Sequence, residues 1–200
     1  MSGRRLVLAT RNRGKLRELE ELLAGLDVEV VSIERLRPGW EIEETGATLR
    51  DNALLKARAA AAACGEWALG DDSGLEVDAL GGAPGVRSAR FASAGHDDNA
   101  NIRRLLELLA EVPAEARTAR FRCVLALVAP GGAGEPRLFE GTCEGRIGWT
   151  ARGTGGFGYD PVFEVAGRGG RTMAELPPEE KNRISHRGRA LAALRARWAG

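Results

Sequence analysis

Apolar runs of strand length alternate along this chain with stretches whose apolar residues recur every three to four positions. Leu6 to Thr10 reads as a buried strand, and Lys15 to Leu23 as a helix with Leu16, Leu19, Leu22 and Leu23 on one face. Val28 to Ile33 predicts a second strand, and an acidic segment, Trp40 to Thr45, follows. An Ala-rich helix is expected from about Thr48 to Cys64, where Thr48 and Asp51 stand in capping-box spacing with Asp in place of Glu. Trp67 to Gly70 is a short apolar run that delivers Asp71-Asp72-Ser73-Gly74 at its end, and Gly81 to Gly85 forms a tight, backbone-exposed loop. Asp98 to Leu109 reads as an amphipathic helix, and Phe121 to Ala129 and Arg137 to Glu144 as strands paired across Gly131 to Gly134. Gly153 to Pro161 is glycine-dense with aromatics embedded. Pro177-Pro178 opens a helical stretch through Lys181, and Arg187 to Trp198 is a terminal helix. Strands mixed with helices, some in sequential hairpins, imply one α/β domain over residues 1–200 with a mixed sheet, the middle segment forming a second lobe.

Composition narrows the function classes. A chain of 200 residues builds a sizeable core without disulfides or a structural metal. Cys64, Cys123 and Cys143 are far apart and form no CxxC pair, so neither a disulfide framework nor a zinc knuckle is indicated, and a reducing compartment fits. The basic start leads into Leu6 to Ala9, too short for a signal-peptide core, and no apolar run is long enough to span a membrane, so the expected location is cytoplasmic. A formal net charge of +1 supplies no broad field for duplex nucleic acid. A local cluster for a small anionic ligand is the remaining possibility.

Lysine usage points to where that cluster is. Of 29 basic residues only Lys15, Lys56 and Lys181 are lysines; a lysine kept in an arginine-rich chain points to a place needing a compact ammonium with rotatable donors, the alternative being chance survival on a solvated face. Polyphosphate suits three such point charges. Lys15 closes Thr10-Arg11-Asn12-Arg13-Gly14-Lys15, a polar turn between strand and helix, where free N–H groups and the positive end of the helix dipole bind phosphate well. It is not a P-loop: the first glycine is missing and Leu16 stands where the metal-binding hydroxyl belongs.

Acidic pairs complement the lysines. Adjacent Asp71 and Asp72 point to opposite faces of an extended chain, so they need not do the same job. Glu43 and Glu44 form a second pair. Oxygen donors without His or Cys suit Mg²⁺, which takes one or two carboxylates plus substrate phosphates and waters. Phe157-Gly158-Tyr159-Asp160 offers rings for stacking a base and a carboxylate acceptor, with a core aromatic as the competing explanation. His186 and Arg187 can donate to a carbonyl or a phosphate. Ser73 and Ser185 lack a His-acid arrangement, which leaves a serine hydrolase triad unsupported.

Taken jointly, these segments resemble the inosine triphosphate pyrophosphatase family, which hydrolyses dITP, ITP and XTP to the monophosphate and pyrophosphate. The resemblance is carried by Ala9 to Lys15, Glu43-Glu44-Thr45-Gly46, Asp71 to Leu75, Gly81 to Val86, Ser88-Ala89-Arg90-Phe91, Gly155 to Pro161 and Glu180-Lys181 through Ile184-Ser185-His186-Arg187. It departs at Leu49 and Asp51, where the family usually shows Phe and Glu. The resemblance implies an elongated mixed sheet with flanking helices, two lobes around a central cleft, a homodimer and a Mg²⁺ requirement. It also implies site roles: Thr10, Arg11, Asn12, Arg13, Gly14, Lys15 and Lys56 on the triphosphate, and Asp72 as general base and metal-site carboxylate. Glu43 or Glu44 would be the second metal-site acid. Ser73, Phe157, Gly158, Tyr159, Asp160, Lys181, His186 and Arg187 would hold sugar and base. The expected partner is a purine nucleoside triphosphate, with no stable nucleic acid and no membrane. Two rival readings remain: a pyrophosphatase of modified pyrimidine or standard nucleotides, and a non-catalytic nucleotide or single-strand binding module.

Overall fold

Leu6, Val7 and Leu8 have no exposed surface, as three successive apolar residues require when both faces of a strand are covered. They form β1 (Arg4–Leu8), which pairs in parallel with both β2 (Val28–Ser32) and β3 (Trp67–Val77), Leu6 standing opposite Val30 on one side and Trp67 on the other. β4 (Thr118–Val128), β5 (Arg137–Ile147) and β6 (Phe163–Val165) complete a six-stranded sheet of order β2-β1-β3-β4-β5-β6, with β5 and β6 antiparallel. The expected mixed sheet is therefore present. The computed structural model describes residues 4–93 and 95–198. Among these, no helix is long and apolar enough to cross a membrane.

Helix α1 (Arg13–Leu23) begins at Asn12, whose side chain accepts the Lys15 backbone N–H, and the short α2 (Ile33–Leu36) takes over Ile33, which the apolar pattern had assigned to a strand. In α3 (Leu49–Cys64) the Thr48–Asp51 capping box forms as expected, and Gly65 ends the helix in the left-handed conformation at φ 68°. Helices α4 (Asp98–Leu108), α5 (Pro178–Ile184) and α6 (His186–Trp198) lie within one or two residues of their predicted bounds, except that α5 runs three residues further, to Ile184.

The principal correction concerns β3. Asp71 and Asp72 stand in the middle of an eleven-residue strand rather than at a strand end. A strand passes through two adjacent aspartates because each is paired with a lysine, and apolar burial resumes at Leu75 and Val77. Close packing against α3 fixes its position: Ala53, Ala57, Ala60 and Ala61 are fully buried, and a Cβ built on Gly70 would lie 2.1 Å from the Ala53 carbonyl oxygen. Backbone cannot yield as a flexible side chain does, so Gly70→Ala is expected to cost about 3 kcal/mol through overpacking. Chemical denaturation checks this; an unchanged midpoint would mean that α3 and β3 separate freely.

The chain divides into two compact units. One comprises residues 1–72, 123–141 and 189–200, the other 73–122 and 142–188. The backbone passes between them inside β3, β4, β5 and α6. In the first unit Leu6, Leu8, Leu19, Leu69, Leu125 and Leu191 belong to one core. In the second, Leu75, Leu105, Phe121, Ile147, Tyr159 and Phe163 belong to another. There Arg117, fully buried, donates to the Leu109, Ile147 and Gly148 carbonyls at 2.6, 2.9 and 2.9 Å, which satisfies the guanidinium by backbone oxygens.

Candidate active site

In the first unit, α1 and α3 each send a lysine to β3. Lys15, in the first turn of α1, reaches Asp71 Oδ1 at 2.8 Å and the Asp71 carbonyl at 3.3 Å. The Cys123 thiol lies 3.8 Å from the other oxygen of Asp71. Lys56 reaches Asp72 Oδ1 at 2.7 Å and Glu44 Oε1 at 3.0 Å. The opposite orientation expected of neighbouring strand residues is thus realised as two separate ammonium partners. Asp71 has no exposed surface and Asp72 only 6%.

The acidic pair at 43–44 divides as well. Glu44 meets Lys56, whereas Glu43 is exposed. Nothing in the sequence distinguished them, because the segment 40–46 has no regular structure from which a face could be read. In the polar turn, the Asn12 N–H donates to Thr10 Oγ1 at 3.2 Å and Asn12 Oδ1 accepts the Lys15 N–H at 3.0 Å. Arg11 turns to Glu34 and Glu41. Arg13 is exposed and Gly14 half-buried.

Electrostatics bind this cluster together. Burial pushes the Asp72 carboxyl above its ordinary value, against the pull of Lys56 and Lys15. For Lys56, burial alone would lower the ammonium; Asp72, Glu44 and Asp71 together outweigh it and raise the group, so it stays charged. Two ammonium groups face three carboxylates here. That leaves one negative charge in surplus before any phosphate arrives, a balance that a divalent cation would correct. Among the described residues no group of three or more His, Cys, Asp or Glu forms a metal cage. Glu44 and Asp72, converging on one nitrogen, nevertheless offer oxygen donors of the kind that could hold a hard divalent cation, which needs only one or two protein carboxylates.

The second unit holds the remaining predicted residues. Asp160 Oδ2 accepts the Phe157 N–H at 2.9 Å and Lys181 Nζ at 2.6 Å. Gly156, at φ +74°, makes room for this, since a Cβ there would stand 2.0 Å from the same oxygen. The Gly158 N–H donates to Asp98 Oδ2 at 2.8 Å. Phe157 is half-buried beneath two cations, Lys181 Nζ at 5.3 Å and the Arg187 guanidinium at 5.7 Å from its ring centroid. Tyr159 plays the competing role named above. Its ring is buried and its hydroxyl donates to the Ser88 carbonyl at 2.9 Å; burial raises its pKa. Phe157 is then the more accessible of the two rings, Tyr159 keeping only 4% of its surface exposed. Arg187 donates to Ser73 Oγ at 2.8 Å, and the His186 imidazole stacks on Phe121, centroids 4.8 Å apart and planes 18° from parallel.

Four residues that touch predicted site residues were not themselves predicted as such: Asn52, Ser88, Asp98 and Phe121. Asn52 was within reach, since it precedes Lys56 by four positions on a predicted helix and so shares its face. The other three meet their partners across long sequence separations; Ser88 lies in one of the segments that carry the resemblance, but nothing local marks its contact with Tyr159.

The Ham1 family model matches residues 6–197. The dITP/XTP pyrophosphatase of Symbiobacterium thermophilum is 56% identical, covering 96% of this chain and 93% of that protein, and the protein of the same name from Geobacter sulfurreducens is 53% identical over 98% of both. Among solved structures, a HAM1 protein from Coxiella burnetii superposes with a TM-score of 0.88 at 43% identity, covering 98% of each chain. A nucleoside-triphosphatase / dITP/XTP pyrophosphatase from Mycobacterium abscessus gives 0.74 at 48% identity, with 95% of this chain and 97% of that one covered. With sequence and backbone in agreement over nearly its whole length, the chain belongs to the Ham1 family.

Proposed function

We propose that this protein hydrolyses the purine nucleoside triphosphates dITP, ITP and XTP to the monophosphate and pyrophosphate. The observation that carries the reading is the pairing of Lys15 with Asp71 and of Lys56 with Asp72 and Glu44. It couples polyphosphate-binding ammonium groups to a buried carboxylate. The names of relatives at 53–56% identity support the same substrate class.

A triphosphate repels an incoming oxygen nucleophile until its charge is neutralised. Thr10 to Lys15, together with Lys56, would take the triphosphate, the first through helix N-terminal N–H groups and the two lysines as point charges. Bound by Glu44 and Asp72, Mg²⁺ would add further charge neutralisation at the phosphate oxygens. Asp72 orients or deprotonates a water aimed at the α-phosphorus. Its raised pKa brings it nearer to neutrality, where a general base works best. Pyrophosphate then leaves with its charge held by Lys15 and Lys56.

Ser73, Phe157, Gly158, Tyr159, Asp160, Lys181, His186 and Arg187 would serve sugar and base, Tyr159 and Asp160 by holding the loop that carries Phe157. Donors from Arg187 or His186 meet the purine 6-carbonyl. Against adenine, which presents an amino group there, these donors would be left unpaired. A site built on such a bond rejects the mismatched analogue by up to about 10⁴-fold. The reading extends to a cytoplasmic location and to a homodimer, the latter tested by light scattering.

Pyrophosphate release from dITP, dATP and dGTP, with and without Mg²⁺, tests the proposal. Metal-dependent release from dITP far above dATP is expected. Equal rates on dATP and dITP would instead favour a pyrophosphatase of standard nucleotides. Salt-sensitive oligonucleotide affinity with no metal-dependent release would mark a binding module.

A further inference from the structure

Asn52 is 2% exposed and stands one helical turn before Lys56. Both ends of its amide are engaged. Oδ1 accepts the Gly46 N–H at 2.8 Å, and Nδ2 donates to Asp72 Oδ2 at 3.4 Å. These partners fix the amide orientation, because a backbone N–H demands an acceptor and a carboxylate demands a donor. The Gly46 contact is close: a Cβ at that position would stand 2.5 Å from Asn52 Oδ1 and 2.8 Å from the Asn52 nitrogen. Gly46 follows Glu44 by two residues, so the segment that presents Glu44 is tied through Asn52 to Asp72.

We infer that Asn52 is a positioning residue which holds the Glu44 segment and the Asp72 carboxylate in register, so that both acids serve one metal and one phosphate chain. The inference rests on the reading above, in which Asp72 is the base and Glu44 and Asp72 hold Mg²⁺. Asp72 uses its two oxygens separately, Oδ1 for Lys56 and Oδ2 for Asn52. A neutral amide suits the second place. It orients the carboxylate without adding charge, and its other end restrains the segment bearing the second acid. Removing such an outer partner typically costs 10- to 100-fold in metal affinity or activity.

Asn52→Asp keeps the size and the acceptor for Gly46 but presents oxygen to Asp72. Asn52→Ala removes both bonds and adds no charge. Each variant is compared with the wild type for kcat and KM on dITP, for the Mg²⁺ concentration giving half-maximal rate, for Mg²⁺ binding by calorimetry without nucleotide, and for melting temperature. The expected result is a tenfold or greater fall in kcat with KM for dITP within threefold in both variants, and Mg²⁺ binding at least tenfold weaker in Asn52→Ala, where no new carboxylate offsets the lost restraint. A purely structural role would lower the melting temperature and leave Mg²⁺ binding unchanged. Turnover within twofold of the wild type in either folded variant overturns the inference. If Asn52→Asp fails to fold, Asn52→Ala decides; failure of both makes Asn52 a folding residue and overturns it too. Asp72→Asn is the control. Active Asp72→Asn enzyme sinks the underlying reading, whereas inactive Asp72→Asn beside active Asn52 variants sinks this inference alone.

Discussion

Asp72→Asn is expected to lower kcat on dITP by about 10²–10⁴-fold, the range for losing a positioned general base, while nucleotide binding survives. The substitution is isosteric at a buried position, so packing is retained. An amide still accepts the Lys56 bond through its oxygen, but it cannot take a proton from water. Charge arithmetic sharpens the expectation. The lysine and carboxylate cluster carries one surplus negative charge, and the variant removes it. Affinity for dITP in the absence of metal should therefore rise rather than fall. Pyrophosphate release measures the first effect and calorimetry in EDTA the second. Near-normal turnover would remove Asp72 from the mechanism; weakened metal-free binding would mean that its carboxylate organises the phosphate-binding groups instead of opposing the phosphate.

Much of this site was legible in the sequence because its chemistry is unusual for the chain that carries it. Lys15, Lys56 and Lys181 stood out against an arginine background, and all three are found in direct ion pairs with aspartates. Strand alternation alone allowed the adjacent aspartates different surroundings, and they have different lysine partners. What remained hidden depends on long-range packing. Glu44 is selected over Glu43 by Lys56, twelve residues away, and Tyr159 is withdrawn into the core by Ser88, seventy-one residues away. No local period encodes either choice. The bounds of β3 failed for a related reason. Aspartate and glycine are depleted in strands, and here the facing lysines and the tight approach of α3 at Gly70 accompany a strand that continues through them. Helix bounds were more accurate, since α1 and α3 carry their caps, Asn12 and Thr48, in the sequence itself.

Lys56→Met is expected to lose both stability and activity, and pH separates the two. Lys56 is 5% exposed and is shared by Asp72 and Glu44. Removing one member of a buried ion pair typically costs 3–5 kcal/mol, because the partner charge is left uncompensated. Glu44, partly exposed, can turn to solvent, which places the expected loss near the lower end, about 3 kcal/mol. For a chain of this length that corresponds to a fall of roughly 6–12 °C in melting temperature. The pH dependence follows from Asp72. Its folded pKa already lies above the unfolded value, and the loss of Lys56 removes the strongest influence holding it down. Between those two values the native state binds more protons than the unfolded state, so native stability rises as pH falls. The deficit of the variant should therefore narrow on going from pH 8 towards the ordinary aspartate range, in metal-free buffer. Turnover should not return with it, because acid neutralises Asp72 without restoring an ammonium to the phosphates; a loss of about 10²–10³-fold is expected at every pH. Lys56→Arg should rescue neither, since a planar guanidinium fork does not fit a site built for a compact ammonium between two carboxylates. Melting curves at several pH values, set beside rates on dITP, decide the matter. A deficit independent of pH would show that Asp72 is not the charge Lys56 compensates, and full activity in Lys56→Arg would show that the site needs only a positive charge.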